Sequence, residues 1–182
     1  TLADAYAAQR GLMDAFGPVG AFKTARRDGD PIMAPIRKDR CHASGARVAV
    51  PERIGVELEV GFLVTGDLPA PQDPDFRARL LAAVRPVPVI ELCASRLEGP
   101  LAADAMAKLA DLQTNEGVVV GTPLPDWDGS DFGAVRARMM AGDSIICDGG
   151  GTVPGSSAIE ALAGRGRIVG APCRGLGQGH GV

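Results

Sequence analysis

The chain has 182 residues, of which 46% are hydrophobic and 23% charged, enough for one globular domain with a sizeable core. A net charge of −3 argues against nucleic-acid binding through a basic surface. No stretch approaches the roughly 18 apolar residues that a membrane span requires. The 25 glycines, 14 prolines and 4% aromatic residues favour many turns and short strands over a helical bundle. We therefore expect a cytoplasmic protein that binds neither nucleic acid nor membrane.

The cysteines and histidines do not form a recognisable site. The four cysteines contain no C-x-x-C pair, which argues against a zinc ribbon or a redox motif. We expect them to be buried free thiols in a reducing compartment; they are Cys41, Cys93, Cys147 and Cys173. His42 and His180 are far apart in sequence, so a histidine metal site or a Ser-His-Asp triad has little support.

The first third of the chain predicts one helix and one short strand. Residues 2–16 have the periodicity of an amphipathic helix, and Gly17-Pro18 ends it. Residues 19–24 predict a short strand that carries Lys23. Residues 26–47 are typical of a loop because turn-forming residues interrupt any pattern.

The clearest predicted strand spans residues 54–65, where apolar residues occupy every second position. A period of two directs one set toward a core, namely Ile54, Val56, Leu58, Val60, Phe62 and Val64. The opposite face then carries Glu57 and Glu59, roughly 6–7 Å apart along the strand.

The remaining elements mix helices and strands. In chain order they are a helix at 73–84, a strand at 87–94 interrupted by Glu91, a helix at 101–112, a strand at 117–121, a hairpin of 132–140 with 144–148, a turn at 149–155 and a helix at 156–163. The order has no regular βαβ alternation. It therefore predicts an α+β domain with a mainly antiparallel or mixed sheet.

Three carboxylates lie in these strand-like apolar runs, namely Glu57, Glu59 and Glu91. A carboxylate there is costly unless it is paired, protonated or bound to a metal. Two carboxylates on one strand face repel each other, and a divalent cation relieves that repulsion. Oxygen ligands without a nearby His or Cys favour Mg²⁺, Mn²⁺ or Ca²⁺ over zinc. The alternative is a solvated strand face, since E-x-E spacing is common.

Five segments carry a family resemblance in order along residues 1–163. They read TLADAYAAQ at the N-terminus, GAFK ending at Lys23, GVELEVGF around Glu57, VIELCASR around Glu91, and ADLQTNEG at 110–117. Four of these resemble the motifs G-[WY]-K, E-x-E-I-A-F, ALE-[IV]-x-DSR and ADN-x-x-x-G, and the first resembles an opening helix. They are similar to the 2-keto-4-pentenoate hydratase and 4-oxalocrotonate decarboxylase group of the fumarylacetoacetate hydrolase superfamily.

The resemblance implies a fold and a site. The fold would be a mixed β-sheet roll with flanking helices, usually in a homo-oligomer. Mg²⁺ or Mn²⁺ would bind the three carboxylates at the matching positions, Glu57, Glu59 and Glu91. Lys23 would orient or polarise a small 2-oxo or 2-hydroxydienoate acid, with polar contacts from Ser95 and Gln113. An ordinary surface lysine, and hydrogen bonds that serve the fold alone, remain the alternatives for these last three residues.

The resemblance also implies a reaction. A hydratase of this group adds water to 2-hydroxypenta-2,4-dienoate. Decarboxylation and C–C bond hydrolysis, which relatives perform, are alternatives that the sequence separates poorly. A third possibility is an inactive member with a binding or assembly role, for example beside a decarboxylase subunit.

The chain departs from the family pattern at several places. Ala94 stands where the family usually has Asp, and Leu112 where it usually has Asn. The loop between Lys23 and Glu57 is shorter than usual, and the closing T-G strand has no counterpart. We therefore expect one catalytic domain at residues 1–163, an irregular glycine-rich tail at 164–182, and a sheet without its last strands.

Overall fold

The computed structural model describes residues 1–27, 30–153 and 157–165. Its elements are α1 (Leu2–Phe16), β1 (Val19–Arg27), β2 (Asp30–Arg37), β3 (Cys41–Ala43), β4 (Gly55–Val64), α2 (Phe76–Ala82), β5 (Val84–Cys93), α3 (Ala105–Ala110), β6 (Asn115–Val120), β7 (Ala134–Ala141), β8 (Ser144–Thr152) and α4 (Ala158–Arg165). Three short 3-10 helices occupy Lys38–Arg40, Gly99–Ala103 and Leu112–Thr114. This mixture of helices and strands confirms the predicted α+β class.

A mixed four-stranded sheet forms the centre of the described structure. Its strand order is β3-β6-β5-β4, with β4, β5 and β6 antiparallel and β3 parallel to β6. Strand β5 has a neighbour on each side, and most of its residues are buried. Two further two-stranded sheets pair β1 with β2 and β7 with β8.

Helix α1 begins and ends where the sequence predicts. Thr1 and Asp4 form a capping box, in which each side chain accepts from the other residue's backbone. The helix ends at Gly17, whose φ of 102° is accessible mainly to glycine. The buried Gln9 amide donates to the carbonyls of Met33 and Leu109, at 3.1 and 2.7 Å, and so fixes α1 to β2 and α3.

Two hydrophobic clusters support the central sheet. Ile36 of β2 packs with residues of β5 and β6, and Leu80 of α2 packs with Val84 and with Leu162 of α4. One predicted core residue is wrong, because Val56 is 43% exposed. It lies near the start of β4, whose first three residues are exposed and which has only β5 as a neighbour among the described strands.

The predicted loop at residues 26–47 is wrong, because it contains β2, a 3-10 helix and β3. Pro31 and Pro35 suggest a loop, but β2 pairs with β1 alone among the strands that the structure describes. The other edge of β2 needs no donors, and proline is tolerated there. This pairing places Lys23 opposite the fully buried Ala34.

The segment around α2 and β5 also differs from the prediction. Helix α2 is shorter than residues 73–84, and β5 begins at Val84 instead of residue 87. Pro86 and Pro88 fit in β5 because their carbonyls accept hydrogen bonds from Leu124 and Gly121, at 2.9 and 2.8 Å. On this side of β5 the two prolines only accept hydrogen bonds, so the backbone N–H that proline lacks is not required.

The predicted helix at 101–112 is interrupted. Asp104 accepts a hydrogen bond from the backbone N–H of Ala107 and begins α3 as its N-cap. The residues before it form the 3-10 helix Gly99–Ala103. Asp104, whose short polar side chain hydrogen-bonds to the backbone, thus divides the predicted helix into a 3-10 helix and α3.

The predicted hairpin is confirmed, with Gly142 in its turn at a φ of 57°. The turn predicted at residues 149–155 is wrong in its first half, because β8 continues to Thr152. The irregular tail predicted from residue 164 is wrong at its start, because α4 continues to Arg165. Residues 154–156 and the chain from 166 lie outside the described residues, so the rest of the tail and the missing strands remain predictions. None of the described helices is long and apolar enough to cross a membrane.

Candidate metal centre

The register of β4 and β5 brings the predicted carboxylates to one face. Glu57 lies directly opposite Glu91, and antiparallel partners direct their side chains to the same face. Glu59, two residues along β4, lies opposite Val89 and is therefore a diagonal neighbour of Glu91. The two glutamates predicted on one face of β4 and the glutamate that interrupts β5 therefore lie together on one face of the sheet.

Glu91 is the centre of this group, and its side chain is fully buried. Lys23 extends from β1, and its Nζ lies 2.9 Å from Oε1 and 2.7 Å from Oε2 of Glu91. Asn115 Nδ2 donates a second hydrogen bond to Oε1 at 2.8 Å. Oε2 has the ammonium as its ion-pair partner but accepts no hydrogen bond. Lys23 Nζ is also 4.0 Å from Oε2 of Glu57.

Burial and neighbouring charges change the pKa values of the ionisable groups on this face. Burial raises the pKa of Glu59 to about 7, and the negative charges of Glu91 and Glu57 add to that shift while Lys23 opposes it. Burial lowers the pKa of Lys23, but its hydrogen bond and ion pair with Glu91 outweigh burial and hold the pKa above its ordinary value. Three carboxyl groups therefore share one ammonium, which leaves the face with an excess of negative charge.

A cysteine also belongs to the group. Glu57, Glu91 and Cys93 each offer a ligand atom, and these atoms lie within 4.8 Å of one another. The interpretation of a site without a nearby cysteine is therefore wrong, because Cys93 follows Glu91 by two residues on the same strand face. Burial raises the pKa of Cys93 to about 12, and the charges of Glu91 and Glu57 add to this. The group is a neutral thiol at neutral pH.

These residues fit a divalent cation. The carboxylates of Glu57 and Glu91 provide oxygen donors on facing strands, and Oε2 of Glu91, which lies 2.7 Å from the Lys23 ammonium, can contact a further cation. Glu59 lies next to them but outside the compact group that Glu57 and Glu91 form with Cys93. Glu57 is 58% exposed, so the group is open to solvent on that side.

The fold is similar to that of 4-oxalocrotonate decarboxylase. Against the structure of this enzyme from Pseudomonas putida G7 complexed with calcium and acetate, the TM-score is 0.65 at 20% identity, over 92% of this chain and 68% of the other. Against its complex with magnesium and adipate, the TM-score is 0.66 at 18% identity, over 92% and 69%. No family model and no curated protein sequence matches significantly. At 18–20% identity the likeness shows a shared fold, and the fumarylacetoacetate hydrolase superfamily remains a prediction from the sequence.

Neither of the other two predicted contact residues, Ser95 and Gln113, forms a hydrogen bond with the glutamate carboxylates in the described structure. Ser95 Oγ donates to Asp111 Oδ2 at 3.4 Å and accepts from the backbone N–H of Leu97 at 3.0 Å, so it is engaged within the fold. Gln113 has a buried Nε2 without a hydrogen-bond partner. The substrate contacts expected of Ser95 and Gln113 remain predictions.

A left-handed turn connects Gln113 to the site. Leu112, Gln113 and Thr114 have φ values of 54°, 53° and 60°, which are strained for residues other than glycine. The strand that follows begins at Asn115, the donor to Glu91. Leu112 is only 1% exposed, so it packs in the interior, at the position where the motif that the sequence resembles has a polar residue.

Arg96 holds this turn in place. It donates from Nε to Asp111 Oδ1 at 2.6 Å, from its backbone N–H to Asp111 Oδ2 at 3.0 Å, and from Nη2 to the carbonyls of Asp111 and Asn115, both at 3.0 Å. Sequence reasoning missed both Arg96 and Asn115. The sequence offered one signal for Asn115, because a polar Asn at the start of an apolar strand is a possible hydrogen-bond donor to a buried carboxylate such as Glu91.

Proposed function

We propose that the chain is a divalent-metal-dependent lyase acting on a small 2-oxo or 2-hydroxydienoate acid. The observation that carries the proposal is the buried Glu91, directly opposite Glu57 and paired with Lys23 on a face with excess negative charge. Within this class we propose a hydratase that adds water to 2-hydroxypenta-2,4-dienoate. The similar fold of an enzyme solved with calcium or magnesium, and with acetate or adipate, supports the metal and the acid.

Glu57, Glu59 and Glu91 would hold Mg²⁺ or Mn²⁺. Such an ion, when bound, supplies Lewis-acid stabilisation of the negative charge that develops on a 2-oxo group. Asn115 fixes one oxygen of Glu91 through its hydrogen bond and so limits how that carboxylate can rotate.

Lys23 would act directly on the substrate. Its raised pKa keeps the side chain charged throughout the neutral range, and β1 holds it against Glu91. Because Lys23 is 15% exposed, its ammonium is largely removed from water, which strengthens its attraction for an acid anion. We assign it the role of orienting the substrate carboxylate.

The test is consumption of the dienol, followed by ultraviolet absorbance, with Mn²⁺ and with a chelator. The Glu57→Gln variant removes one carboxylate charge with little change in shape, and Glu52→Gln is its matched control because Glu52 is an exposed loop residue. We expect activity that requires the metal, is lost in Glu57→Gln and is retained in Glu52→Gln. A folded wild-type protein that consumes no dienol with Mn²⁺ refutes the hydratase proposal.

Decarboxylation is the second candidate, because both similar structures belong to a decarboxylase. C–C hydrolysis is a further alternative on the same metal chemistry. Product analysis separates the three reactions: hydration gives a 4-hydroxy-2-oxo acid, decarboxylation releases CO₂, and hydrolysis gives two carboxylic acids.

An inactive member with an assembly role is the alternative from another class. Its motivation is that Ala94 and Leu112 supply no polar side chain, and Leu112 is buried. Such a protein would bind Mn²⁺ without turnover. We also propose a homo-oligomer, or a complex with a decarboxylase subunit, which sedimentation of the protein alone and of a mixture would distinguish.

A further inference from the structure

The compact donor group on the β4–β5 face has two oxygens and one sulfur. Glu57, Glu91 and Cys93 place their ligand atoms within 4.8 Å of one another, whereas Glu59 is not part of that group. A tetrahedral cation with bonds of about 2.0 Å to oxygen and 2.3 Å to sulfur requires these ligand atoms to be roughly 3.3–3.5 Å apart. Small side-chain rotations would therefore convert the existing arrangement into a coordinating one.

Cys93 is half-buried, and the residue opposite it on the neighbouring strand has no side chain. Gly55 lies directly opposite Cys93 on β4, so no side chain from that position covers the thiol. A Cβ built on Gly55 would come within 3.2 Å of Cys93 Cβ, which means that any larger residue would crowd this position.

Burial of Glu91 separates this group from an ordinary acidic surface. The Glu91 side chain is 0% exposed, and its Oε2 atom accepts no hydrogen bond although Lys23 is its ion-pair partner. A buried carboxylate oxygen without a hydrogen bond has capacity for a further electropositive partner. The adjacent sulfur determines which cations suit that capacity, because thiolate ligands select softer ions than oxygen ligands do.

We propose that Glu57, Glu91 and Cys93 form a site for a thiophilic divalent cation of the Zn²⁺ or Cd²⁺ class. Such an ion would exclude Mg²⁺ or Mn²⁺, because both kinds of cation require Glu57 and Glu91. The inference rests on the proposed function in this one respect, since exclusion matters only where a hard cation is used. Cys93 releases its proton to solvent when the metal–sulfur bond forms.

The probe is Cd²⁺, because its bond to sulfur gives a charge-transfer absorbance in the ultraviolet that needs no enzyme activity. The full-length wild-type chain is compared with Cys93→Ser, and Cys147→Ser is the control because Cys147 is an exposed free cysteine. Competition with Mn²⁺, followed by the electron paramagnetic resonance signal of the free ion, gives the ratio of the two affinities in each protein.

We expect the first equivalent of Cd²⁺ to give the absorbance band in wild type and Cys147→Ser and to displace Mn²⁺. In Cys93→Ser the band should be lost, and the ratio of Cd²⁺ to Mn²⁺ affinity should fall at least roughly 10- to 100-fold, the loss that even indirect ligand partners cause. A band or ratio that is unchanged in Cys93→Ser overturns the inference. Failure of wild type to bind Mn²⁺ at all counts against the proposed function instead, whatever Cd²⁺ does. Retained Mn²⁺ binding in Cys93→Ser shows that the variant is folded.

Discussion

Replacing Lys23 by Met tests how much the buried ion pair contributes to folding. Lys23 and Glu91 are 15% and 0% exposed, and their charged atoms are 2.7–2.9 Å apart. Removing one partner of a buried pair costs about 3–5 kcal/mol, because the other charge remains without compensation. Since Lys23 keeps some contact with water and Asn115 still donates to Glu91, we expect about 3 kcal/mol, the lower end of that range.

The assay is urea unfolding of the metal-free protein at neutral pH, followed by circular dichroism. Lys38→Met is the matched control, because Lys38 is exposed and should lose under about 1 kcal/mol. The double variant Lys23→Met with Glu91→Gln should recover roughly 2 kcal/mol, since a neutral amide needs no counter-ion. Mn²⁺ should also stabilise Lys23→Met more than wild type, because a cation would replace the missing ammonium.

Two outcomes would refute this reasoning. A loss in Lys23→Met no larger than in Lys38→Met would place the pair among exposed ion pairs, which contribute little. A double variant as unstable as the single one would show that the loss comes from packing of the lysine stem, since the charge of Glu91 is then irrelevant.

Three further predictions concern the site and the fold. Because the pKa of Glu59 is raised to about 7, the metal-free protein loses stability as pH rises through that value. A cation competes with the proton on Glu59, so Mn²⁺ affinity measured by calorimetry should increase from about pH 6 to about pH 8. An affinity that does not change over this pH range would contradict the prediction. Arg96→Ala should weaken Mn²⁺ binding roughly 10- to 100-fold by releasing Asn115 from its position, whereas the exposed Arg47→Ala should not. Asp131→Ala should cost about 1 kcal/mol in urea unfolding, because Asp131 accepts from the first backbone N–H groups of α4; equal stability would refute its role as a cap.

The sequence predicts the parts of the site that depend on local periodicity. Alternation along β4 is sufficient to place Glu57 and Glu59 on one face, and the structure has them there. The hairpin follows from Gly142, because a turn with positive φ favours glycine. In each case the determining residues are neighbours in the chain, so a short window contains the whole cause.

The missed features depend on contacts between distant segments. The turn at Leu112–Thr114 adopts positive φ in three residues that are not glycine, which no local rule favours. Arg96 supplies the hydrogen bonds that hold it, from 15 residues away in the sequence. Strand β2 was missed for a similar reason: its prolines are acceptable because β1 is its only partner among the described strands, and one edge of β2 therefore has no strand to pair with there.

Glu91 connects the stability of the fold to the chemistry of the site. Its ion-pair partner Lys23 is 68 residues away, and its amide partner Asn115 is 24 residues away, so neither contact exists until β1, β5 and β6 have assembled. A fully buried carboxylate is costly by itself, and an apolar side chain at this position of β5 would suit the fold better. The arrangement that compensates it uses one ammonium for three carboxyl groups and therefore remains short of positive charge. A bound cation would supply that charge, so the same residue that weakens the metal-free fold would give the loaded protein its affinity.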